Sequence, residues 1–158
     1  MPALTVEDRL DILDVIARFG VVHDLRQPDL FLEVFTEDAQ VDFSYVGGRA
    51  SMDLGQYRAL LQGMVKSGFH ADHQTTDTIV IAEGPDGARA RSRYMVIRPD
   101  GSMSNGEILD RLRRTERGWR IAERRMIRRW PASDKGPPPA SYYSGWPLAG
   151  GEEGNKPA

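Results

Sequence analysis

Two histidines and two aspartates stand close together in the segment HADHQTTD, residues 70–77. Histidine titrates near neutral pH, so His70 or His73 could act as a catalytic base. The same ring nitrogens, joined by Asp72 or Asp77, could instead hold a metal ion. A third alternative is that these are polar residues at the entrance of a strand, without chemistry. The spacing of the two histidines separates these alternatives.

The sequence around the two histidines predicts a strand, because HQTTDTIVIAE is rich in threonine, isoleucine and valine. Side chains three residues apart on a strand point to opposite faces, so His70 and His73 would not converge on one ion. We therefore predict no metal site and no cofactor, and we expect His70 at the surface or at a rim. His73 is therefore the remaining candidate for a catalytic base.

The third histidine, His23, lies beside Asp24 at the end of a helix predicted over residues 5–24, with Thr5 as its N-cap. Two apolar stripes run along this helix and end at Asp24 and His23. The first consists of Leu10, Leu13, Ile16, Ala17 and Gly20, and the second of Ile12, Ile16 and Phe19. A carboxylate at the end of an apolar stripe points toward the core, where an ionised group is costly without a partner. Asp24 therefore needs a partner such as a histidine.

Length and composition limit the class of protein. A chain of 158 residues with 40% hydrophobic residues suggests one globular domain. No stretch approaches the roughly 20 apolar residues of a membrane span, and the N-terminus has no apolar signal core. The absence of cysteine excludes disulfides and thiolate metal sites. We expect a cytoplasmic protein without a membrane partner.

The charge is unevenly distributed along the chain, although the net charge is only −2. Residues 1–53 carry eleven acidic and four basic side chains, whereas residues 111–129 carry nine arginines and two glutamates. A basic stripe can indicate contact with nucleic-acid phosphates. Here the arginines flank alternating apolar residues, and the pI is about 5.9. We therefore expect them on the outer face of a strand, paired with acidic neighbours, and predict no nucleic-acid partner.

Further elements must position these residues. A short helix is predicted over residues 28–39 and a first strand over residues 39–48. Another helix is predicted over residues 53–67, with Asp53 as cap and Gly68 as stop. Strands are predicted over residues 73–83, 88–99, 107–116 and 119–130, and three long strands joined by tight turns indicate an antiparallel meander. This order indicates an α+β fold with helices packed on one face of a curved sheet.

The composition changes at Pro131, where a segment rich in proline, glycine and serine begins. We divide the chain into a domain of residues 1–130 and a tail of residues 131–158 without regular structure. Tyr142, Tyr143 and Trp146 would expose costly apolar surface on a free tail. We therefore expect them to lie against the body or a neighbouring subunit, as a lid or as an intersubunit arm.

The order of these features resembles the SnoaL-like branch of the NTF2-like superfamily over roughly residues 6–130. The resemblance rests on a first helix that ends in a polar pair, on FTEDAQVDF, on a histidine-bearing strand, and on GWRI before the last strand. It implies a cone in which a strongly curved mixed or antiparallel sheet wraps around a long N-terminal helix, with two further helices and a deep apolar pocket. The superfamily includes scytalone dehydratase, ketosteroid isomerase, polyketide cyclases, a bile-acid dehydratase, hexachlorocyclohexane dehydrochlorinase and binding domains without activity.

Within this family, HDLRQPD and HADH are most similar to the dehydratase and dehydrochlorinase subgroup. Those enzymes carry an aspartate at the end of the first helix and a histidine on the strand after the third helix, which correspond to Asp24 and His73. The resemblance implies that the carboxylate orients the imidazole, whose free nitrogen takes a proton from carbon. Related dehydratases often carry tyrosine or lysine at the position of Phe19, so this chain departs from the pattern there.

The resemblance therefore implies a cofactor-independent lyase that acts on a hydrophobic, cyclic small molecule by proton abstraction and β-elimination. An isomerase or polyketide cyclase with the same base, and a pocket protein that only binds, are the alternatives. The family also implies a homodimer or homotrimer. The residues that we expect to contact the substrate are His23, Phe19, Tyr45, Tyr57, Tyr94, Arg128, Arg129 and Trp130.

Two of these residues, Arg128 and Arg129, are consecutive on the predicted last strand. Because strand side chains alternate, one of the two faces inward if the strand is regular. A guanidinium inside an apolar cone needs an acidic partner or an anionic group of the substrate.

Overall fold

The computed structural model of the protein describes residues 4–47, 51–68 and 70–146. Its helical elements in these ranges are α1 (Val6–Asp24), α2 (Leu54–Lys66) and two short 3-10 helices, Pro28–Glu33 and Ala140–Tyr143. Its strands are β1 (Phe35–Tyr45), β2 (Met52–Asp53), β3 (Asp72–Ala82), β4 (Gly87–Ile97), β5 (Met103–Thr115) and β6 (Gly118–Trp130). No helix in the described ranges has the length and hydropathy of a membrane span.

The strands form one six-stranded mixed sheet in the order β2-β1-β6-β5-β4-β3. Strands β3 to β6 pair as the predicted antiparallel meander, whereas β1 and β6 run parallel. Register shifts interrupt the β1–β6, β3–β4 and β5–β6 pairings, and such bulges bend strands and increase their twist. The curved sheet wraps around α1, which confirms the predicted α+β cone.

Only one of the two apolar stripes of α1 is buried along its whole length. The stripe of Ile12, Ile16 and Phe19 is buried and leads to His23, as predicted. Leu10 and Leu13 of the other stripe are 58% and 38% exposed, so our expectation that this stripe faces the core was wrong for them. Both stripes have helical spacing, and the periodicity alone does not say which one faces the sheet.

The segment after α1 differs from the prediction. The expected helix over residues 28–39 ends at Glu33 and has 3-10 geometry, and β1 already begins at Phe35. Phe35 pairs with Ile121 on β6, and the N–H of Ile121 donates a hydrogen bond to the carbonyl of Val34 at 2.8 Å. Pairing with a strand far along the chain therefore overrides the local helical pattern.

Helix α2 begins and ends where the sequence predicts. The Asp53 carboxylate accepts a hydrogen bond from the backbone N–H of Gln56 at 2.8 Å, and the Gln56 side chain accepts one from the Asp53 N–H. This capping box satisfies two backbone donors at the helix start. Beyond the C-terminus, Gly68 has φ +71°, the left-handed conformation that favours glycine.

The acidic first third of the chain and the arginine-rich last third pair with each other. Arg114 on β5 contacts Asp8 of α1 at 2.5 Å and Arg113 contacts Asp38 of β1 at 2.8 Å. The Trp119 indole also donates a hydrogen bond to Asp8 at 3.1 Å. Hydrogen bonds from Trp119 and Arg114 lower the pKa of Asp8 to about 2. The acidic and the arginine-rich segments therefore form ion pairs that join distant parts of the chain.

One ion pair lies entirely inside the cone. Asp110 on β5 and Arg124 on β6 are both fully buried, and two hydrogen bonds of 2.7 Å join them. The guanidinium of Arg124 also stacks on the ring of Phe19, with 3.9 Å from its central carbon to the ring centroid. The buried ion pair therefore packs against the ring of Phe19 and holds it in place.

The described part of the tail packs on the outer face of the sheet. Trp146 is 5% exposed, contacts Leu109 and Ile127, and lies between the guanidinium groups of Arg89 and Arg125 at 4.9 and 4.6 Å. Its indole N–H donates to the Asp110 carbonyl at 3.2 Å. Trp146 therefore contacts the sheet of its own chain, on the face opposite the cone interior.

Candidate active site

A cavity of about 210 Å³ opens on the concave side of the sheet. Its walls come from both α-helices and from five of the strands, and most of its surface is aromatic or aliphatic. This volume lies below the roughly 300–1,000 Å³ of pockets for drug-sized ligands, which fits a compact ligand. The lining residues are Phe19, His23, Phe43, Val46, Tyr57, Leu60, Met64, His73, Tyr94, Val96, Arg98, Ser104, Met126 and Arg128.

The end of α1 and the start of β3 meet at this cavity. The Nδ1 atom of His73 lies 2.5 Å from Oδ1 of Asp24. The backbone N–H of His73 donates a second hydrogen bond of 2.7 Å to Oδ2 of Asp24. One carboxylate thus holds both the ring and the backbone of His73, and the pairing directs the other ring nitrogen, Nε2, away from the aspartate.

A glycine allows this close approach of helix and strand. Gly20 lies one turn before Asp24, and a Cβ atom at Gly20 would lie 3.1 Å from the carbonyl oxygen of His73. A larger side chain would push β3 away from the helix. Gly20, which the sequence placed in an apolar stripe, therefore sets the distance between Asp24 and His73.

A bulge in β3 turns His73 toward the cavity. His73 and Val80 are seven residues apart, so in a regular strand they would point to opposite faces. Both face inward because the pairing with β4 shifts by one residue between Thr76 and Ile79. Asp77 at the bulge has φ +51°, a left-handed conformation that costs non-glycine residues free energy.

This bulge makes a testable prediction for Asp77. Changing Asp77→Val should lower the free energy of unfolding by about 1–2 kcal/mol, because a β-branched residue resists the left-handed conformation. Asp77→Gly should not lower it, since glycine adopts this conformation freely. Urea unfolding measures both effects. Gln74→Val, on the same strand and exposed, is the matched control and should change stability by less than about 0.5 kcal/mol. An equal loss in Asp77→Gly and Asp77→Val would contradict this account of the bulge.

A second imidazole lies against the dyad. The rings of His23 and His73 are 4.5 Å apart between centroids, and Nδ1 of His23 lies 3.5 Å from Oδ1 of Asp24. The ligand-type atoms of these three residues lie within 4.8 Å of one another, so they form a group that could hold a metal ion. Asp24, however, already directs both carboxylate oxygens to His73. We interpret the group as a hydrogen-bonded dyad with a neighbouring histidine.

The protonation states suit a base near neutral pH. Burial and the neighbouring His23 lower the pKa of His73 below its ordinary 6.5, although Asp24 opposes this shift. Burial raises the pKa of Asp24, but hydrogen bonds from His23 and His73 outweigh it and the pKa is lower than usual. At neutral pH, His73 is therefore a neutral acceptor beside an ionised carboxylate.

These directions predict the pH dependence of turnover. A base must be unprotonated to act, so kcat/KM should fall only as the pH drops through the pKa of His73. Because that pKa lies below 6.5, kcat/KM should be close to its plateau at pH 7.5–8, and the midpoint of its acid limb should lie below pH 6.5. A pH–rate profile measures this limb. An acid limb with its midpoint above pH 7 would contradict the assignment of His73.

The sequence comparison agrees with this architecture. The family model described as SnoaL-like domain matches residues 4–125. The chain belongs to the SnoaL-like family. No curated protein matches it. The family match confirms the resemblance from which we expected the cone fold.

Solved structures similar to this SnoaL-like protein have the same fold. A Novosphingobium aromaticivorans protein provisionally described as an aromatic ring hydroxylase is 28% identical, with a TM-score of 0.70 over 82% of this chain and 94% of that one. An NTF2-like protein with a cystatin-like fold from the same organism is 26% identical, with a TM-score of 0.69 over 80% and 85%. LinA is 16% identical, with a TM-score of 0.69 over 85% and 96%, and supports the fold alone.

The cavity of this SnoaL-like protein contains most, but not all, of the residues that the sequence predicted for it. His23, Phe19, Tyr57, Tyr94 and Arg128 line it together with His73. His70 is exposed, as expected. Three other predicted residues, Tyr45, Arg129 and Trp130, lie outside the cavity.

Strand geometry explains why these three residues lie elsewhere. A register shift after Asp42 turns Tyr45 to the outer face, where its ring packs on Tyr142 at 5.0 Å between centroids. Arg129 follows the inward Arg128 and so points outward, where it contacts Glu107 at 2.8 Å. Trp130 ends β6 with 67% of its surface exposed. These three side chains therefore do not line the cavity in which we expected them.

Sequence reasoning missed Arg98 and Ser104 in the cavity wall. The Nη2 atom of Arg98 donates a hydrogen bond to the Ser104 hydroxyl at 3.2 Å. A signal was present, because Arg98 continues the alternation of the inward residues Tyr94 and Val96 just past β4. The alternation of side chains along the strand would therefore have predicted Arg98 in the cavity wall.

Proposed function

We propose that this protein is a cofactor-independent lyase that removes a proton and a β-leaving group from a compact, hydrophobic, cyclic molecule. The observation that carries this proposal is the 2.5 Å contact between Nδ1 of His73 and Oδ1 of Asp24 at the wall of a largely apolar cavity. The SnoaL-like family membership supports the same class of chemistry.

In the proposed reaction, Nε2 of His73 takes a proton from a substrate carbon. The electron pair of the broken C–H bond forms the new double bond, and the β-hydroxide or β-halide leaves with the electrons of its own bond. The Asp24 carboxylate holds the Nδ1–H tautomer of His73 and stabilises the imidazolium that forms. The protein then needs only to return the proton to solvent or to the departing hydroxide.

An isomerase or cyclase is the second candidate function, and the position of His23 favours it. His23 lines the cavity with its ring 4.5 Å from that of His73. A second imidazole at this distance could return a proton to another atom of the same substrate. Isomerisation and elimination would then share the first step and differ in the second.

Incubation with substrate candidates in deuterium oxide tests the proposal. Cyclic β-hydroxy and β-halo carbonyl compounds should give a conjugated product whose ultraviolet absorption rises with time, and His73→Ala should give none. Solvent deuterium in recovered starting material without elimination would favour the isomerase. Tight binding across the whole series with neither product nor deuterium incorporation would contradict both and leave a pocket protein that only binds.

A further inference from the structure

A second polar cluster lies in the same cavity, apart from the dyad. Arg98 and Arg128 both line the wall, and neither forms an ion pair with a carboxylate of the described residues. Nε of Arg128 is buried and has no hydrogen-bond partner there. Its Nη2 donates a hydrogen bond to the Ala132 carbonyl at 3.4 Å, a long distance for an N–H···O bond.

This situation contrasts with that of the other inward arginine. Arg124 also has one buried nitrogen, Nη1, without a hydrogen-bond partner, but its other two nitrogens donate to the carboxylate of Asp110 at 2.7 Å and balance its charge. A charged donor that is buried without an acceptor costs considerably more free energy than a satisfied one. Among the described residues, Arg98 and Arg128 therefore carry positive charge toward the cavity without a carboxylate in ion-pair contact, although Asp100 lies close enough to Arg98 to interact with its charge. A ligand with negative charge would supply that contact.

The space in front of Arg128 is kept open by a glycine. On β4, β5 and β6, Tyr94, Gly106 and Arg128 are cross-strand neighbours. A Cβ at Gly106 would lie 2.7 Å from the Tyr94 ring and 1.8 Å from the Ile127 carbonyl oxygen. Because glycine has no side chain, the Tyr94 ring and the Arg128 side chain can lie on either side of Gly106 in the cavity wall.

The cluster and the dyad are separated by a distance that one small molecule can span. His73 is on β3 and Arg128 on β6, three strand spacings apart in the sheet. At roughly 4.8 Å per spacing this is about 14 Å between the two backbones. Both side chains project from these backbones into the same cavity, so the gap that a ligand must span is much shorter. A ring with one charged substituent could therefore reach the guanidinium groups while a ring carbon faces His73.

We propose that Arg98 and Arg128 bind an oxyanion of the ligand, with a carboxylate on a compact ring as the class that fits best. The cavity volume of about 210 Å³ leaves room for little more than one substituted ring. The Ser104 hydroxyl, which contacts Arg98, adds a neutral hydrogen-bonding group beside the charge. That this ligand is also the substrate rests on the proposed function, whereas the anion site itself does not.

Calorimetric titration with simple probes tests the anion site. Benzoate and benzamide have nearly the same shape, but only benzoate is charged. We expect the unaltered protein to bind benzoate at least about tenfold more tightly than benzamide, the effect of one hydrogen bond to a charged group. Phenyl phosphate serves as a third probe and distinguishes a carboxylate from a phosphate preference.

Variants assign this preference to the arginines. Arg128→Gln should reduce the benzoate preference to less than about threefold while benzamide binding stays unchanged, and Arg128→Lys should restore part of it. Arg93→Gln, 64% exposed outside this cavity, is the matched control and should change nothing. Thermal unfolding checks that each variant is folded.

Several results would overturn the anion site. These are equal affinity for benzoate and benzamide, no binding of benzoate at millimolar concentration, or a preference that survives Arg98→Gln and Arg128→Gln together. A stronger preference for phenyl phosphate would keep the anion site and overturn the carboxylate assignment. Binding of these probes requires no turnover, so failure of the proposed lyase activity would not affect this result.

Discussion

Replacing His73 by alanine should lower kcat/KM by about a thousandfold, within the roughly 10²–10⁴-fold contribution of a positioned general base. Asp24 contacts the imidazole at Nδ1 and accepts a hydrogen bond from the backbone N–H of His73. The imidazole lines the cavity, so its loss removes the group that accepts the proton. The fold should persist, because the side chain keeps 14% of its surface exposed and packs at a cavity wall. Steady-state kinetics on an eliminated substrate measures the effect.

Two companion variants sharpen this result. Asp24→Asn keeps the shape of the side chain but removes the charge that stabilises the imidazolium, so kcat should fall while KM changes little. His70→Ala alters an exposed histidine three residues from His73 on the same segment and should leave kcat/KM unchanged. Retained activity in His73→Ala, or an equal loss in His70→Ala, would refute the assigned roles.

Changing Arg124→Met should lower the free energy of unfolding by about 3–5 kcal/mol, because it leaves the buried carboxylate of Asp110 without its partner. Both side chains are fully buried, and two hydrogen bonds of 2.7 Å join them. A small domain has a total stability of only about 5–15 kcal/mol. The variant should therefore be close to unfolding at 37 °C, which denaturant unfolding measures directly.

A double variant separates the cost of an unpaired charge from the loss of packing. Asp110→Leu combined with Arg124→Met should recover most of the lost stability, since no buried charge remains. Arg113→Met removes an exposed partner of Asp38 and should cost less than about 1 kcal/mol. If Arg124→Met cost no more than Arg113→Met, the buried pair would not have the importance that its geometry indicates.

The sequence predicted where Asp24 and His73 stand in the fold because both lie at element ends. The end of a helix and the start of a strand depend on caps, glycines and hydrophobic periodicity, which are local properties. The meeting of the two ends across the cavity followed from the family resemblance, and the structure has the two side chains in contact. Prediction succeeded here because each local pattern agreed with the global fold.

Face assignments in β1 and β3 could not be predicted in the same way. A periodicity of two assumes a regular strand, and each bulge reverses the assignment beyond it. The shift after Asp42 moved Tyr45 to the outer face, and the shift at Asp77 keeps both His73 and Val80 inside. Asp77 could have given a hint, since aspartate is one of the few residues that tolerate left-handed backbone.

The tautomer of His73 decides whether this imidazole can act as the base, and measuring it does not require a known substrate. Nitrogen-15 NMR of histidine-labelled protein at pH 7.5 reports which ring nitrogen carries the proton. The Asp24 contact at 2.5 Å predicts a neutral His73 with Nδ1 protonated and Nε2 bare toward the cavity, and loss of this state in Asp24→Asn. A His73 that carries its proton on Nε2, or that is unaffected by Asp24→Asn, would contradict the proposed base.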